Sequence, residues 1–113
     1  MKLVEITKDD FKSFNGIDLE VEFAYGNYDS ENMPEIFINR VQTSLINYLK
    51  ANYISFENKL ALNDNELNEK DKEAFFEALL YQIEFVLKTG KTEEMCQTAY
   101  NILKGNGVID LYG

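Results

Sequence analysis

Few side chains in this sequence could carry out catalysis. None of its 113 residues is histidine, so the usual general base, the commonest metal ligand and the usual partner of a serine or cysteine nucleophile are missing. Cys96 is the only cysteine. It follows Met95 in an amphipathic stretch, which favours a packing or surface thiol over a nucleophile, and it cannot build an ordinary zinc site alone. We therefore predict no enzyme activity, no metal and no cofactor.

Two polar segments look like ligand loops but lack the residues that define such loops. An EF-hand loop starting at Asp64 needs glycine at its sixth position and glutamate at its twelfth, where the sequence has Glu69 and Phe75. Gly105–Gly107 follows a predicted helix instead of preceding one, and it has no lysine or serine for a phosphate. We interpret both as helix-capping loops. Paired carboxylates for glycoside cleavage stay open, because 20 acidic residues make chance pairs abundant.

The excess of acidic residues limits which partners the protein can bind. Twenty acidic and 11 basic residues give a net charge of -9, which opposes approach to phosphate backbones and anionic lipids. Arg40 is the only arginine, so bidentate contacts to phosphate or guanine have almost no donor. We expect no membrane binding and no specific DNA binding, although DNA could slide past such a surface. The lone cysteine and the lack of a long apolar run predict synthesis as a soluble cytoplasmic chain.

Residue type and position suggest which side chains meet a protein partner. Tyrosines in a turn-rich loop or a tail supply contact area at little entropic cost, although partial burial in their own domain is an equal alternative. Arg40, within a predicted helix, could pair with an acid of a neighbouring subunit, or occupy an ordinary surface position. The predicted partner contacts are Phe23, Tyr25, Tyr28, Arg40, Ile109, Leu111 and Tyr112.

One segment has the pattern of a β-strand. Apolar and acidic residues alternate strictly from Ile17 to Phe23, with Asp18, Glu20 and Glu22 on one side. A lone strand needs a partner, so we expect it to pair with residues 3–6, with residues 108–112 or with a neighbouring molecule. The acidic side is either simply solvated or part of a negative surface.

Capping and stop signals delimit the helices. The predicted helices begin near Thr7, Asn32, Asn68 and Thr92 and end near Gly16, Tyr53, Gly90 and Gly105. In the second helix, Gln42 is predicted to face away from the core. Residues 55–66 form a linker or a short helix, and residues 108–112 an extended tail. The prediction is one domain spanning 1–113, mainly α: a small bundle of about four helices with a short extended or β segment near residues 17–24 and extended termini.

Four stretches of the sequence, taken in order, match the succession of helices and aromatic residues found in a known protein family. They are Leu3–Gly16, with its Thr-capped helix carrying phenylalanine; Glu35–Gln42; Lys72–Phe85; and the closing Ala99, Leu103, Gly105, Gly107 and Val108. Together they resemble the small head–tail connector proteins of tailed bacteriophages, also called adaptor or head-completion proteins. The resemblance covers nearly the whole chain and consists of helix order and aromatic placement. The stretch from Asp18 to Ser30 is longer than in shorter family versions.

The resemblance implies a structural role in the virion. A family member made in the host cytoplasm would assemble into a ring, expected to be a dodecamer, below the portal and would extend the DNA channel to the tail. Its partners would be further copies of the chain, the portal protein, and tail or stopper proteins. DNA would pass through without specific binding, and Asp18, Glu20 and Glu22 would line an acidic lumen.

Two other functions fit the same composition. An acidic inhibitor that imitates DNA would occupy a basic nuclease or repressor, because its carboxylates can mimic a phosphate array. A bacterial helical adaptor unrelated to phages would neither form rings nor bind a portal.

Overall fold

The computed structural model describes residues 1–24 and 32–110, and these residues are mainly helical with no strand. The described helices are α1 (Lys8–Asn15), α2 (Leu19–Ala24), α3 (Met33–Asn52), α4 (Ile54–Leu62), α5 (Glu69–Thr89) and α6 (Gln97–Gly105). The predicted fold class is therefore confirmed in outline. The expected number of about four helices was too low, because α2 replaces the strand and because the short-helix alternative for residues 55–66 is the one that forms, over Ile54–Leu62.

Local capping signals set several helix ends where the sequence predicts them. The Thr7 hydroxyl accepts a hydrogen bond from the Asp10 backbone N–H at 3.0 Å, and the Asp10 carboxylate accepts one from the Thr7 N–H at 2.9 Å. Asn68 caps α5 by accepting from the Asp71 N–H at 2.8 Å. Gly16 and Gly90 end α1 and α5 with φ of +78° and +73°, a conformation that glycine adopts without steric cost.

The predicted strand over residues 17–24 is wrong. Asp18 begins a helix there, since its carboxylate accepts a hydrogen bond from the Glu20 N–H at 3.0 Å. In a helix, Leu19 and Phe23 share one face. Leu19 is fully buried and Phe23 half-buried, whereas Val21 lies 49% exposed. The alternating segment thus has no strand partner among the described residues. Its inward-facing side chains, Leu19 and Phe23, are four residues apart, as in a helix, and not two, as in a strand.

The N-terminal segment is fastened to α3 by a buried glutamine. The Gln42 Oε1 accepts hydrogen bonds from the Leu3 and Val4 N–H groups at 2.8 and 3.0 Å, and its Nε2 donates to the Val4 carbonyl at 3.0 Å. Gln42 is only 1% exposed, so the prediction that it faces away from the core is wrong. A side-chain amide here supplies the pairing that a neighbouring strand would otherwise give to residues 3 and 4.

A second buried glutamine fixes the segment before α6. The Gln82 Nε2 of α5 donates to the Glu94 carbonyl, and its Oε1 accepts from the Cys96 N–H, both at 2.8 Å. Because residues 94 and 96 are held by α5, the last helix begins after Cys96 and not at Thr92 as predicted. The Cys96 sulfur caps it, accepting from the Ala99 N–H at 3.3 Å.

The C-terminal residues return to the core instead of extending from it. The Val108 N–H donates to the Leu103 carbonyl at 2.9 Å, and Val108 and Ile109 are 0% and 3% exposed. The Asp110 N–H then reaches the Ser55 hydroxyl of α4 at 3.1 Å. Side chains from all the helices named above join one hydrophobic cluster, whose largest fully buried members are Phe11, Phe56 and Phe75.

Candidate functional site

The three acids predicted to line a lumen do not form one negative face. On α2, Asp18 is the N-terminal cap, and its carboxylate also lies 3.5 Å from the Lys12 ammonium. Glu20 pairs with Lys8, and Glu22 is exposed. Successive acids at every second position point in different directions on a helix. Lysines of α1 therefore offset two of the three charges locally.

The predicted partner contacts fall into three groups. Phe23 packs edge-on against Phe37 of α3, with ring centroids 5.3 Å apart, and Ile109 is buried in its own domain. Both side chains thus contribute to the core in this structure. Tyr25, Tyr28, Leu111 and Tyr112 lie outside the described residues. Arg40 is the predicted contact that the structure places on an exposed surface.

Arg40 lies in a shallow groove on the outer side of α3. The helix turns Ile38 and Val41 inward, which places the intervening Arg40 on the opposite, solvent-facing side. Among the residues that the structure describes, Arg40 forms no ion pair. We call this surface the α3 groove; its lining residues are Ile36, Asn39, Arg40, Thr43, Ser44 and Thr92. Ile36, one turn before Arg40, is 40% exposed.

A hollow with largely apolar walls lies beside the first half of α5. We call it the α5 hollow; its lining residues are Val4, Lys72, Glu73 and Phe76. Phe76 is half-buried, while Glu73 and Glu77 are exposed and stand one helical turn apart. Neither carboxylate forms an ion pair within residues 1–24 and 32–110. The lining residue Lys72 lies 3.7 Å from the exposed Glu69 carboxylate, so the hollow combines an apolar floor with one lysine and with the Glu73 and Glu77 carboxylates at its edge.

The edge helix α4 exposes apolar side chains as well. Its inner side buries Phe56 and Leu60, whereas Ile54 and Leu62 are 67% and 88% exposed. These two residues and Ala61 lie on the outer side of the helix, separated by polar neighbours. Helix α4 thus adds an outer apolar edge to the described surface.

Titratable groups with shifted pKa values are few and owe their shifts to burial. Burial raises the pKa of the Cys96 thiol, against the lowering effect of the Ala99 N–H bond, so the thiol stays protonated at neutral pH. Burial also raises the pKa of Tyr53, with smaller contributions from Tyr48 and Tyr100. The described residues contain no group of three acidic or cysteine side chains placed to hold a metal ion.

The buried polar side chains hold the fold together. Gln42 and Gln82 bind backbone groups, and Asp71 accepts a hydrogen bond from the Lys59 ammonium at 3.0 Å. Within the described part of the chain, every buried side-chain nitrogen or oxygen has a hydrogen-bond partner. Of the described helices, none combines the length and apolarity needed to cross a bilayer.

Sequence reasoning overlooked the α5 hollow and both glutamines. The hollow needs Val4 beside α5, where the Gln42 bonds and the burial of Leu3 and Ile6 hold the N-terminal segment. Two glutamines at inward helical positions are the signal available in the sequence, because a polar residue on an apolar helix face implies a partner.

Comparison with known proteins yields no relationship: no protein family, no curated protein and no solved structure matches this chain.

Proposed function

We propose that this chain is a structural virion protein, a head–tail connector or adaptor whose ring below the portal extends the DNA channel to the tail. The order of its elements and its aromatic placement resemble that family. The mainly helical fold, with α3 and α5 as its longest described helices, is compatible with such a subunit. The role requires protein–protein contacts and no catalytic group.

The observation that carries this proposal is the outer side of α3. A chain with a net charge of -9 places its only guanidinium on the surface, without an ion pair among the described residues, beside an exposed isoleucine. Arginine and apolar side chains are favoured where two proteins meet, since guanidinium forms directed bonds to carboxylates at a modest desolvation cost. The exposed Ile54 and Leu62 of α4 offer further contact area.

The acidic inhibitor is the second candidate, and one observation favours it. Glu69, Glu73 and Glu77 follow one another at single-turn intervals along the exposed side of α5, which makes a row of negative charge. Only Glu69 has a described ion pair, to Lys72 at 3.7 Å. Such a row could meet the basic cleft of a nuclease or repressor.

Native mass spectrometry tests the two functions against each other. The purified protein is measured alone over a concentration series, then with purified portal rings, and then with a basic nuclease. A closed ring of many copies, alone or on the portal, is the result expected of a connector. A monomer or dimer that ignores the portal and binds the nuclease with strong salt dependence would refute the connector and support the inhibitor.

A further inference from the structure

The α3 groove and the α5 hollow carry complementary features on one chain. The groove presents an exposed isoleucine and, one turn later, an arginine without an ion pair among the described residues. The hollow presents Phe76 and, about one turn earlier, Glu73, which likewise has no described ion pair; Glu77 directly follows Phe76, one turn after Glu73. The apolar and charged groups are about one helical turn apart in both cases, roughly 6 Å along the axis for Ile36 and Arg40 and roughly 4.5 Å for Glu73 and Phe76. Two helices crossing in opposite directions would match Ile36 to Phe76 and Arg40 to Glu73.

These groups cannot meet within one molecule. Helices α3 and α5 pack against each other through their apolar sides, and both Arg40 and the two glutamates lie on the solvent-facing sides. Side chains that face away from a shared core cannot reach each other around it. An Arg40–Glu73 pair can therefore form only between two copies of the chain.

We propose that the α3 groove of one copy docks on the α5 hollow of a second copy, with Arg40 bound to Glu73, with Ile36 against Phe76, and with Glu77 one turn from Glu73 adding to the negative potential around Arg40. This contact rests on the proposed function, since it identifies the partner of the surface from which that function was argued. The contact joins two different surfaces. Its repetition gives a ring where the rotation between successive copies closes, and reciprocal use of both surfaces by two copies gives a two-fold dimer.

Charge complementarity selects a second copy as the occupant. An acidic partner fits Arg40, and this chain supplies acids in excess, 20 against 11 basic residues. At the hollow, Lys72 is paired with Glu69 at 3.7 Å, whereas Glu73 and Glu77 form no described ion pair and would repel a general acidic partner. A copy of this chain satisfies both surfaces, because it carries the positive group for the hollow and the negative groups for the groove.

A charge exchange between two variants tests the contact. The first variant is Arg40→Glu, and the second combines Glu73→Lys with Glu77→Lys. Alone, each variant places like charges across the contact, which should raise the dissociation constant of self-association by about a hundredfold. In an equal mixture, the glutamate introduced in the first variant faces the two lysines introduced in the second, while the remaining contacts keep the original charges. The mixture should therefore assemble like the wild type, with equal amounts of both chains in each particle.

Matched controls apply the same charge changes elsewhere on the surface. Lys104→Glu on α6 reverses an exposed positive charge, and Glu57→Lys combined with Glu66→Lys reverses two exposed acids that form no described ion pair. Both controls should assemble at the wild-type concentration. Thermal unfolding of every variant checks that the fold is retained, since all the changed side chains are exposed.

Sedimentation velocity and native mass spectrometry give the readout. Wild-type-like assembly of either variant alone would overturn the contact, as would a mixture that stays dissociated. A wild-type chain that never self-associates, with or without portal rings, would overturn it too. Portal binding in the same samples keeps the two proposals apart. If the contact fails while the wild type still binds portal rings, the connector function stands; if the contact is verified but portal rings are ignored, only the connector function fails.

Discussion

Replacing Gln42 by leucine should release the N-terminal segment. Leucine has a similar size but cannot bond to the Leu3 N–H, the Val4 N–H or the Val4 carbonyl, which Gln42 binds at 2.8–3.0 Å. If the segment stayed in place, three backbone groups would lose partners at about 1 kcal/mol each. If it detached, water would satisfy those groups, and burial of the Leu3 side chain, worth about 2 kcal/mol, would be lost. The protein adopts whichever of these two states costs less free energy, here the detached segment. We therefore expect a loss of about 2 kcal/mol in the free energy of unfolding.

Urea unfolding and amide hydrogen exchange measure the two parts of this prediction. The unfolding midpoint should fall, while the exchange of the Leu3 and Val4 amides should accelerate far more than that of amides in the middle of α5. Asn58→Leu is the matched control, because Asn58 is an exposed amide on α4 without a described hydrogen bond. Its effect should stay within about 0.5 kcal/mol.

Two results would contradict the assigned role of Gln42. One is an unfolding free energy equal to that of Asn58→Leu. The other is unchanged protection of the Leu3 and Val4 amides, which would mean that other groups hold the N-terminal segment. A loss spread evenly over all amides would instead indicate general destabilisation of the core, and would count against a local fastening by this side chain.

Three further predictions concern local features. Asn68→Ala removes the α5 cap and should cost about 1 kcal/mol in urea unfolding, whereas Asn58→Ala should cost little. Gly90→Ala places a side chain at φ +73°, where its Cβ meets no atom within 4 Å, so a loss of about 1 kcal/mol would come from backbone strain alone. Because burial raises the pKa of Cys96, its alkylation by iodoacetamide at pH 8 should be slower in the folded protein than in urea. Equal alkylation rates in the folded and unfolded protein would contradict this expectation. The same pKa shift means that the thiol contributes stability below its unfolded pKa, and that this contribution is lost as the pH rises through the folded pKa.

The sequence alone determined the helical class and several helix ends. Thr7, Gly16, Asn68 and Gly90 act within one or two turns of their own backbone, so their effect does not depend on distant parts of the chain. Composition determined that the described surface would be acidic and that histidine chemistry was unavailable. Arg40, between Ile38 and Val41 of a predicted helix, was predicted as a partner contact; the structure places it on the exposed side of α3, and the contact itself stays a prediction.

Tertiary structure decided the features that need a partner distant in sequence. Residues 17–23 alternate like a strand, but a strand forms only where another backbone pairs with it; here Leu19 and Phe23 pack inward from a helix instead. The inward positions of Gln42 and Gln82 imply that each has a partner, but only the fold shows that the partners are the backbone segments around residues 3 and 95. The α5 hollow forms because Gln42 and the buried Leu3 and Ile6 hold the segment that places Val4 beside α5. Local rules cannot reveal such contacts, because their energy belongs to residues that meet only after the chain has folded.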